Sequence, residues 1–209
     1  MENLRNLLNS FTKEDYENNL INLHIHTTFS DGLGCGEQII KSAKEKNYKL
    51  IAITDHNTVE AHKKYNDDIL LTGVEFDCWF GYVFIHLLAY GIDINHPDIA
   101  PFLAKTKKDT EGVLPRLFAK RNVKKLIQAI HNAGGVAILA HPACYWTINL
   151  EKLIIKLTKI GLDGIEVYYP YPNFRKFVKF HSAQDVCKIA EKYPELIKTG
   201  GTDFHNTTF

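Results

Sequence analysis

No apolar run in this 209-residue chain approaches the roughly 18 residues of a membrane-spanning helix. The first residues, with Glu2, Asn3, Arg5 and Asn6, lack the apolar centre of a secretory signal, so the expected compartment is the cytoplasm. Charge of one sign is not in excess either: 25 basic residues stand against 24 acidic ones, a net of +1. Nothing global therefore calls for an anionic membrane or a nucleic-acid duplex as partner, and only local patches could supply one. The four cysteines, Cys35, Cys78, Cys144 and Cys187, form no C-x-x-C pair, which speaks against a zinc ribbon or redox couple and for reduced thiols. No internal repeat of about 20 to 50 residues and no low-complexity tract is present, which excludes a solenoid.

What the chain does have is a strand-loop-helix rhythm. Its length suits one domain, residues 1–209, that buries about 70% of its unfolded surface, and the rhythm favours an α/β architecture. Ile21, Leu23 and Ile25 alternate with Asn22, His24 and His26, so one face of the first strand carries both histidines. Further strands are expected over Lys49 to Thr54, Ile69 to Gly73, Tyr82 to Tyr90, Val136 to Ala140, Ile165 to Tyr168 and Ile197 to Thr199. Helices are expected over Val123 to Asn132, closed by Gly134-Gly135, over Glu151 to Ile160 behind an Asn149 cap, and from a Ser182/Asp185 capping box to about Tyr193. The segment Ile92 to Arg121 breaks the rhythm with Pro97, Pro101, Pro115 and six basic residues. It reads as a short insertion, either a solvated helical excursion or a cationic flap over an anionic substrate.

Six of the ten histidines sit in short motifs with carboxylates at or after expected strands. The motifs are His24-Ile25-His26 leading to Asp31, Thr54-Asp55-His56, Gly73-Val74-Glu75, His86, His141-Pro142 and Asp203-Phe204-His205, with Glu166 in a strand of its own. Imidazole with carboxylate suits Mn, Zn or Fe, and the absence of cysteine ligands argues against a closed structural zinc site. Taken alone the H-x-H pair says little. Its placement within an ordered set at one barrel mouth is what gives it meaning, because parallel barrels carry functional side chains after the C-terminal ends of their strands.

As a set, in this order, the motifs resemble the polymerase and histidinol phosphatase (PHP) domain family over about Asn22 to Asn206. The resemblance implies a distorted (β/α)7 barrel, TIM-barrel-like, holding two or three divalent metal ions (Mn2+, Zn2+ or Fe2+). It further implies a first ion held by His24, His26, Glu75 and Asp203, a second by bridging Glu75 with His86 and His141, and a third by Asp31, His56 and His205. His24, His26, Glu75, His141, Asp203 and His205 would carry the catalysis. Asp55 is expected to orient a ligating imidazole, and Glu166 either does the same or is an ordinary inward-facing barrel residue. His62, His96 and His131 match no motif.

The implied reaction is hydrolysis of a phosphate ester by metal-activated hydroxide at a trinuclear centre. The substrate is expected to be a nucleotide, a nucleoside bisphosphate or a short oligonucleotide. Two other readings stay open: a histidinol-phosphate phosphatase, or a non-catalytic metal-stabilised accessory module of the kind fused to DNA polymerases. The stretch from Tyr168 to His181 reads either as a substrate-binding loop, with Arg175, Lys176, Lys179 and His181 on phosphate and Tyr168, Tyr169 or Tyr171 on a base, or as aromatics packed on the rim. Two departures from the family stand out. The insertion before the His141 strand is short, which implies an open pocket, and only four residues follow His205, which implies a thinly covered last seam.

Overall fold

The computed structural model describes residues 1–118, 120–171 and 181–209. Seven strands lie in the order of the chain: β1 (Ile21–Ile25), β2 (Leu50–Ile53), β3 (Leu70–Phe80), β4 (Val83–Tyr90), β5 (Val136–Leu139), β6 (Gly164–Tyr168) and β7 (Ile197–Gly200). The helices are α1 (Glu2–Asn9), α2 (Lys13–Glu17), α3 (Gly36–Glu45), α4 (Glu60–Lys64), α5 (Lys108–Glu111), α6 (Val113–Leu117), α7 (Val123–Asn132), α8 (Leu150–Thr158) and α9 (Ala183–Lys192). Local chemistry starts three of the long helices where the sequence places them. Asn122 and Asn149 accept from the backbone N–H three residues on, and Ser182 forms a full capping box with Asp185.

The sheet departs from an all-parallel barrel at one place. The sequence pattern ends a strand near Gly73, whereas β3 runs on to Phe80 and turns through Gly81, at φ 63°, into β4. β4 therefore lies antiparallel to both β3 and β5, while the other neighbours are parallel. Glu75 and His86 consequently sit inside the strands of a hairpin, a correction to the expectation that every site residue comes late in a parallel strand. Gly73 does not break the strand; it lets the backbone pass close to β2, where an added Cβ would stand 2.9 Å from the Ile53 carbonyl oxygen.

The edge strands β1 and β7 share no ladder. The chain beyond β7 joins β1 at one parallel bridge, Ile25 with Phe204, where the His26 N–H donates to Phe204 O at 2.8 Å and the Phe204 N–H donates to His24 O at 3.0 Å. Below that bridge Asn22 fastens the seam, donating from Nδ2 to Thr202 Oγ1 at 2.8 Å and accepting from the Thr202 N–H at 3.1 Å. Gly201 permits the approach, since a Cβ there would run into the backbone nitrogen and Cβ of His24. The result is the expected distorted α/β barrel of seven strands.

Apolar burial holds the layers. Leu126, Ile127 and Ile130 of α7, Leu153, Ile154 and Leu157 of α8, and Val186 and Ile189 of α9 pack with Leu87, Leu139, Ile165 and Val167 in one core. Ile39, Ile40 and Ala43 of α3 cover Ile25 and Ile51 in a smaller one. A third joins Leu8 and Tyr16 to Leu23, Leu88, Tyr90 and Ile138. α1 lies at the barrel end where β6 starts and β4 finishes, tied by Arg5 to Asp163 at 2.6 Å and touching Gly91 through Leu4. The opposite end is left for chemistry. No helix among the described residues is long and apolar enough to cross a membrane.

Candidate metal centre

Strand alternation and hairpin register build the site. His24 and His26 of β1 share one face, as do Glu75 and Asp77 of β3 two residues apart, and the register sets Asp77 directly opposite His86. His141 and Asp203 follow β5 and β7, each with positive φ (24° and 50°), a costly backbone state for side-chain-bearing residues that concentrates at functional sites.

Glu75 is the hub. Its Oε1 lies 3.3 Å from His24 Nε2, 3.0 Å from His86 Nδ1 and 3.2 Å from His141 Nε2, and its Oε2 lies 3.3 Å from His26 Nε2 and 3.2 Å from His56 Nδ1. Asp203 Oδ1 approaches His26 Nε2 at 3.1 Å and His24 Nε2 at 3.5 Å. Three groups of donors could each close on a cation: His24, His26, Glu75 and Asp203; Glu75, His86 and His141; and His26, Asp31, His56 and His205. They coincide with the sets the resemblance implies, with His26 added to the last.

The first two groups fit divalent ions. The Nε2 atoms of His24 and His26 are buried without a hydrogen-bond partner, a costly condition that a coordinated cation relieves. The third group is differently filled. Arg116 of α6 donates from Nη1 to Asp31 Oδ2 at 2.7 Å and from Nη2 to His56 Nε2 at 2.6 Å, one of the two ring nitrogens that His56 could offer to an ion. The same guanidinium pairs with both oxygens of Asp77, at 3.0 and 3.2 Å. The guanidinium thus shares this position, while Asp31 Oδ1 and His56 Nδ1 stay buried without a hydrogen-bond partner.

Electrostatics follow the packing. Burial alone would raise the Glu75 pKa, but the imidazoles of His86, His24, His56 and His141 hold it well below the usual carboxylate range. Burial likewise opposes ionisation of Asp77, and His56, His86 and Arg116 overcome it, pulling its pKa down. Burial disfavours charge on His26 and His141, yet Asp203 and Glu75 lift His26 to about 9, and the Cys144 side chain, with Glu75 and Asp203, lifts His141 to about 10. His24 is also driven up, with Glu166, Glu75 and Asp203 outweighing its burial.

Other expected residues fall as follows. Glu166 lies behind the ligand sphere, with its oxygens 3.1 and 3.3 Å from His24 Nδ1, and its Oε2 accepts the His141 N–H at 2.7 Å. Asp55 touches no imidazole. Its carboxylate accepts from Thr27 N–H, Thr27 Oγ1 and Ser30 Oγ at 2.6 to 2.7 Å and so fixes the turn that carries Asp31, reaching His26 only through Ser30. His205 stacks on His26 at 4.3 Å and faces Asp31 Oδ1 at 3.3 Å.

Of the loop residues, Arg175, Lys176 and Lys179 lie outside the described residues. His181 Nε2 contacts Thr147 O at 2.7 Å, Tyr169 donates to Asp203 Oδ2 at 3.1 Å, and Tyr171 accepts the Ala143 N–H at 3.2 Å. Outside the motifs, His62 bridges Ile53 and Gly73, His131 contacts Asp163 at 2.7 Å, and His96 accepts from the Asp98 N–H. Sequence reading missed Asp77 and Arg116. The spacing Glu75-x-Asp77 repeats the His24-x-His26 pattern and could have revealed the first; only the folded excursion reveals the second.

Comparison with known proteins identifies the family. The family model described as the PHP domain matches residues 22–201. The 5′-3′ exoribonuclease Rnm of Escherichia coli is 35% identical over 262 aligned positions, covering 89% of this chain and 85% of that protein. That alignment is longer than this chain, so the relative carries extra residues within the shared span. Rnm of Salmonella typhimurium is 34% identical over 110 residues, 49% of this chain but only 37% of that protein. Among solved structures, an amidohydrolase from Chromobacterium violaceum superposes with a TM-score of 0.68 at 21% identity, covering 90% of this chain and 88% of that one. The matched span covers every strand and all the candidate ligands except Asp203 and His205, which follow it within a few residues; the chain belongs to the PHP domain family.

Proposed function

We propose that this chain is a metal-dependent hydrolase of phosphate esters, acting on nucleotides or on the 5′ ends of short RNA. One observation carries the reading: Glu75 stands within 3.3 Å of five imidazoles delivered by four different parts of the barrel. Divalent cations bound there would supply Lewis acidity toward phosphoryl oxygens and lower the pKa of water to about 7. His24, His26, Glu75 and Asp203 would hold the first, and His86 and His141, sharing Glu75, the second. Glu166 fixes the tautomer and orientation of His24 and anchors the backbone of His141, so one buried carboxylate braces both positions.

Arg116 competes with a cation for the third donor group, which favours two ions over three. Its guanidinium neutralises Asp31 and Asp77 at the mouth, where a phosphoryl oxygen would also find a cation. The donor set does not single out Mn, Zn or Fe. The relatedness to proteins named exoribonuclease supports the RNA-end reading over the polymerase accessory role.

The test is hydrolysis of p-nitrophenyl phosphate by the purified protein with added Mn2+, followed by adenosine 3′,5′-bisphosphate, a 5′-phosphorylated short RNA and histidinol phosphate as competing substrates. Turnover abolished by a chelator is expected. Stoichiometric metal with no turnover on any of these esters would assign the accessory role instead.

A further inference from the structure

Beside the metal centre lies a cleft of about 730 Å³, within the size range of small-molecule sites, whose lining includes His86, His141 and Arg116 together with Trp79, Phe84 and Trp146. Both tryptophans of the chain line it. The Trp79 and Phe84 rings lie 5.3 Å apart, and Phe84 meets the His86 ring edge-on at 5.2 Å, so an aromatic wall leads up to a candidate metal ligand. Trp79 is 40% exposed, yet its indole N–H donates to Leu117 O at 2.6 Å, which sets the ring before any ligand arrives. Apolar surface left open next to a charged centre is the mark of a binding site.

The chemistry of the lining narrows the occupant. No aspartate or glutamate is among the described residues that line the cleft, while Arg116 and two imidazoles are. An alkylammonium group, as in histidinol phosphate, would find no carboxylate there and would face a guanidinium. A planar, uncharged ring would find aromatic faces.

We propose that this cleft seats the nucleoside part of the substrate, with the base against Trp79 and Phe84 and the scissile phosphate at the His86 and His141 end. The assignment rests on the phosphoesterase reading and adds to it which side of the barrel mouth recognises the base. It is an alternative to base stacking on Tyr168, Tyr169 or Tyr171, none of which lines this cleft.

Intrinsic fluorescence tests it directly, because both tryptophans report on the cleft. Titrating adenosine into the Mn2+-loaded protein should give saturable quenching that neither ribose nor inorganic phosphate reproduces. In parallel, the ratio of kcat/KM for adenosine 5′-monophosphate to that for glycerol phosphate should fall about tenfold in Trp79→Ala and be largely restored in Trp79→Phe, in line with the worth of one base-aromatic stack. An unchanged ratio in a folded Trp79→Ala protein, or histidinol phosphate preferred to the nucleotide, would overturn the assignment. If no ester at all is hydrolysed while adenosine still quenches, the hydrolase reading fails and the nucleoside site stands.

Discussion

Arg116 Nη2 and His56 Nε2 lie 2.6 Å apart, so a guanidinium from the excursion between β4 and β5 engages one of the two ring nitrogens that His56 could offer to a third metal position. The excursion is thus not a detached solvated segment: Arg116 is buried in the barrel mouth, and Arg121 donates to the carbonyl oxygens of Phe102 and Asp77.

Wild-type protein is therefore expected to retain two divalent ions per chain, and Arg116→Met three, read by elemental analysis after dialysis. In chelator the variant should lose about 3 kcal/mol of stability, because Asp77 is left buried without its cation, and Mn2+ should restore it. Equal stoichiometry in the two proteins would refute the competition.

Glu166→Gln keeps an acceptor for the His141 N–H but removes the charge behind His24. Loss of such a partner costs about 10- to 100-fold in metal affinity. Competition against a fluorescent chelator measures it, and an unaltered dissociation constant would show that Glu166 is an ordinary barrel residue.

The pH dependence of metal uptake has a definite sign. Without metal, His26 and His141 are held up at about 9 and about 10, so both are protonated at neutral pH and lack the lone pair a cation needs. Binding must displace those protons, and affinity should climb as pH rises toward 9. Calorimetry in buffers of different ionisation enthalpy should find at least one proton released per ion at pH 7, and a buffer-independent heat would contradict this.

Gly201→Ala places a Cβ against His24 across the β1–β7 seam. The expected cost is on the order of 1 to 3 kcal/mol, with weakened retention of the ion held by His24. Thermal unfolding with and without metal would show it; a melting temperature within a degree of wild type would mean that the seam yields freely.

His141→Ala removes a candidate ligand at a strained backbone position and should lower kcat by orders of magnitude against p-nitrophenyl phosphate, with circular dichroism unchanged. A rate within threefold of wild type would take His141 out of the centre.

Much of the fold was legible because its signals are local. Asn122, Asn149 and Ser182 start their helices by bonding the backbone three residues away, and β1 and β5 show their burial in the residues themselves. The hairpin was not. Glycine at position 73 looks like punctuation, and only the close passage of β2 explains why a strand runs through it.

The sequence by itself determined the inventory of the site: six histidines and three acids whose types and order admit a divalent-metal centre and whose alternation aims pairs of them at a common face. Tertiary structure alone decided that Glu75 is shared, that Asp77 faces His86 across an antiparallel pair, and that Arg116 enters the mouth. The reason is physical. Strand periodicity fixes where a side chain points relative to its neighbours two residues away, but which strands adjoin, in which direction, and which distant cation balances a buried acid depend on packing over the whole barrel.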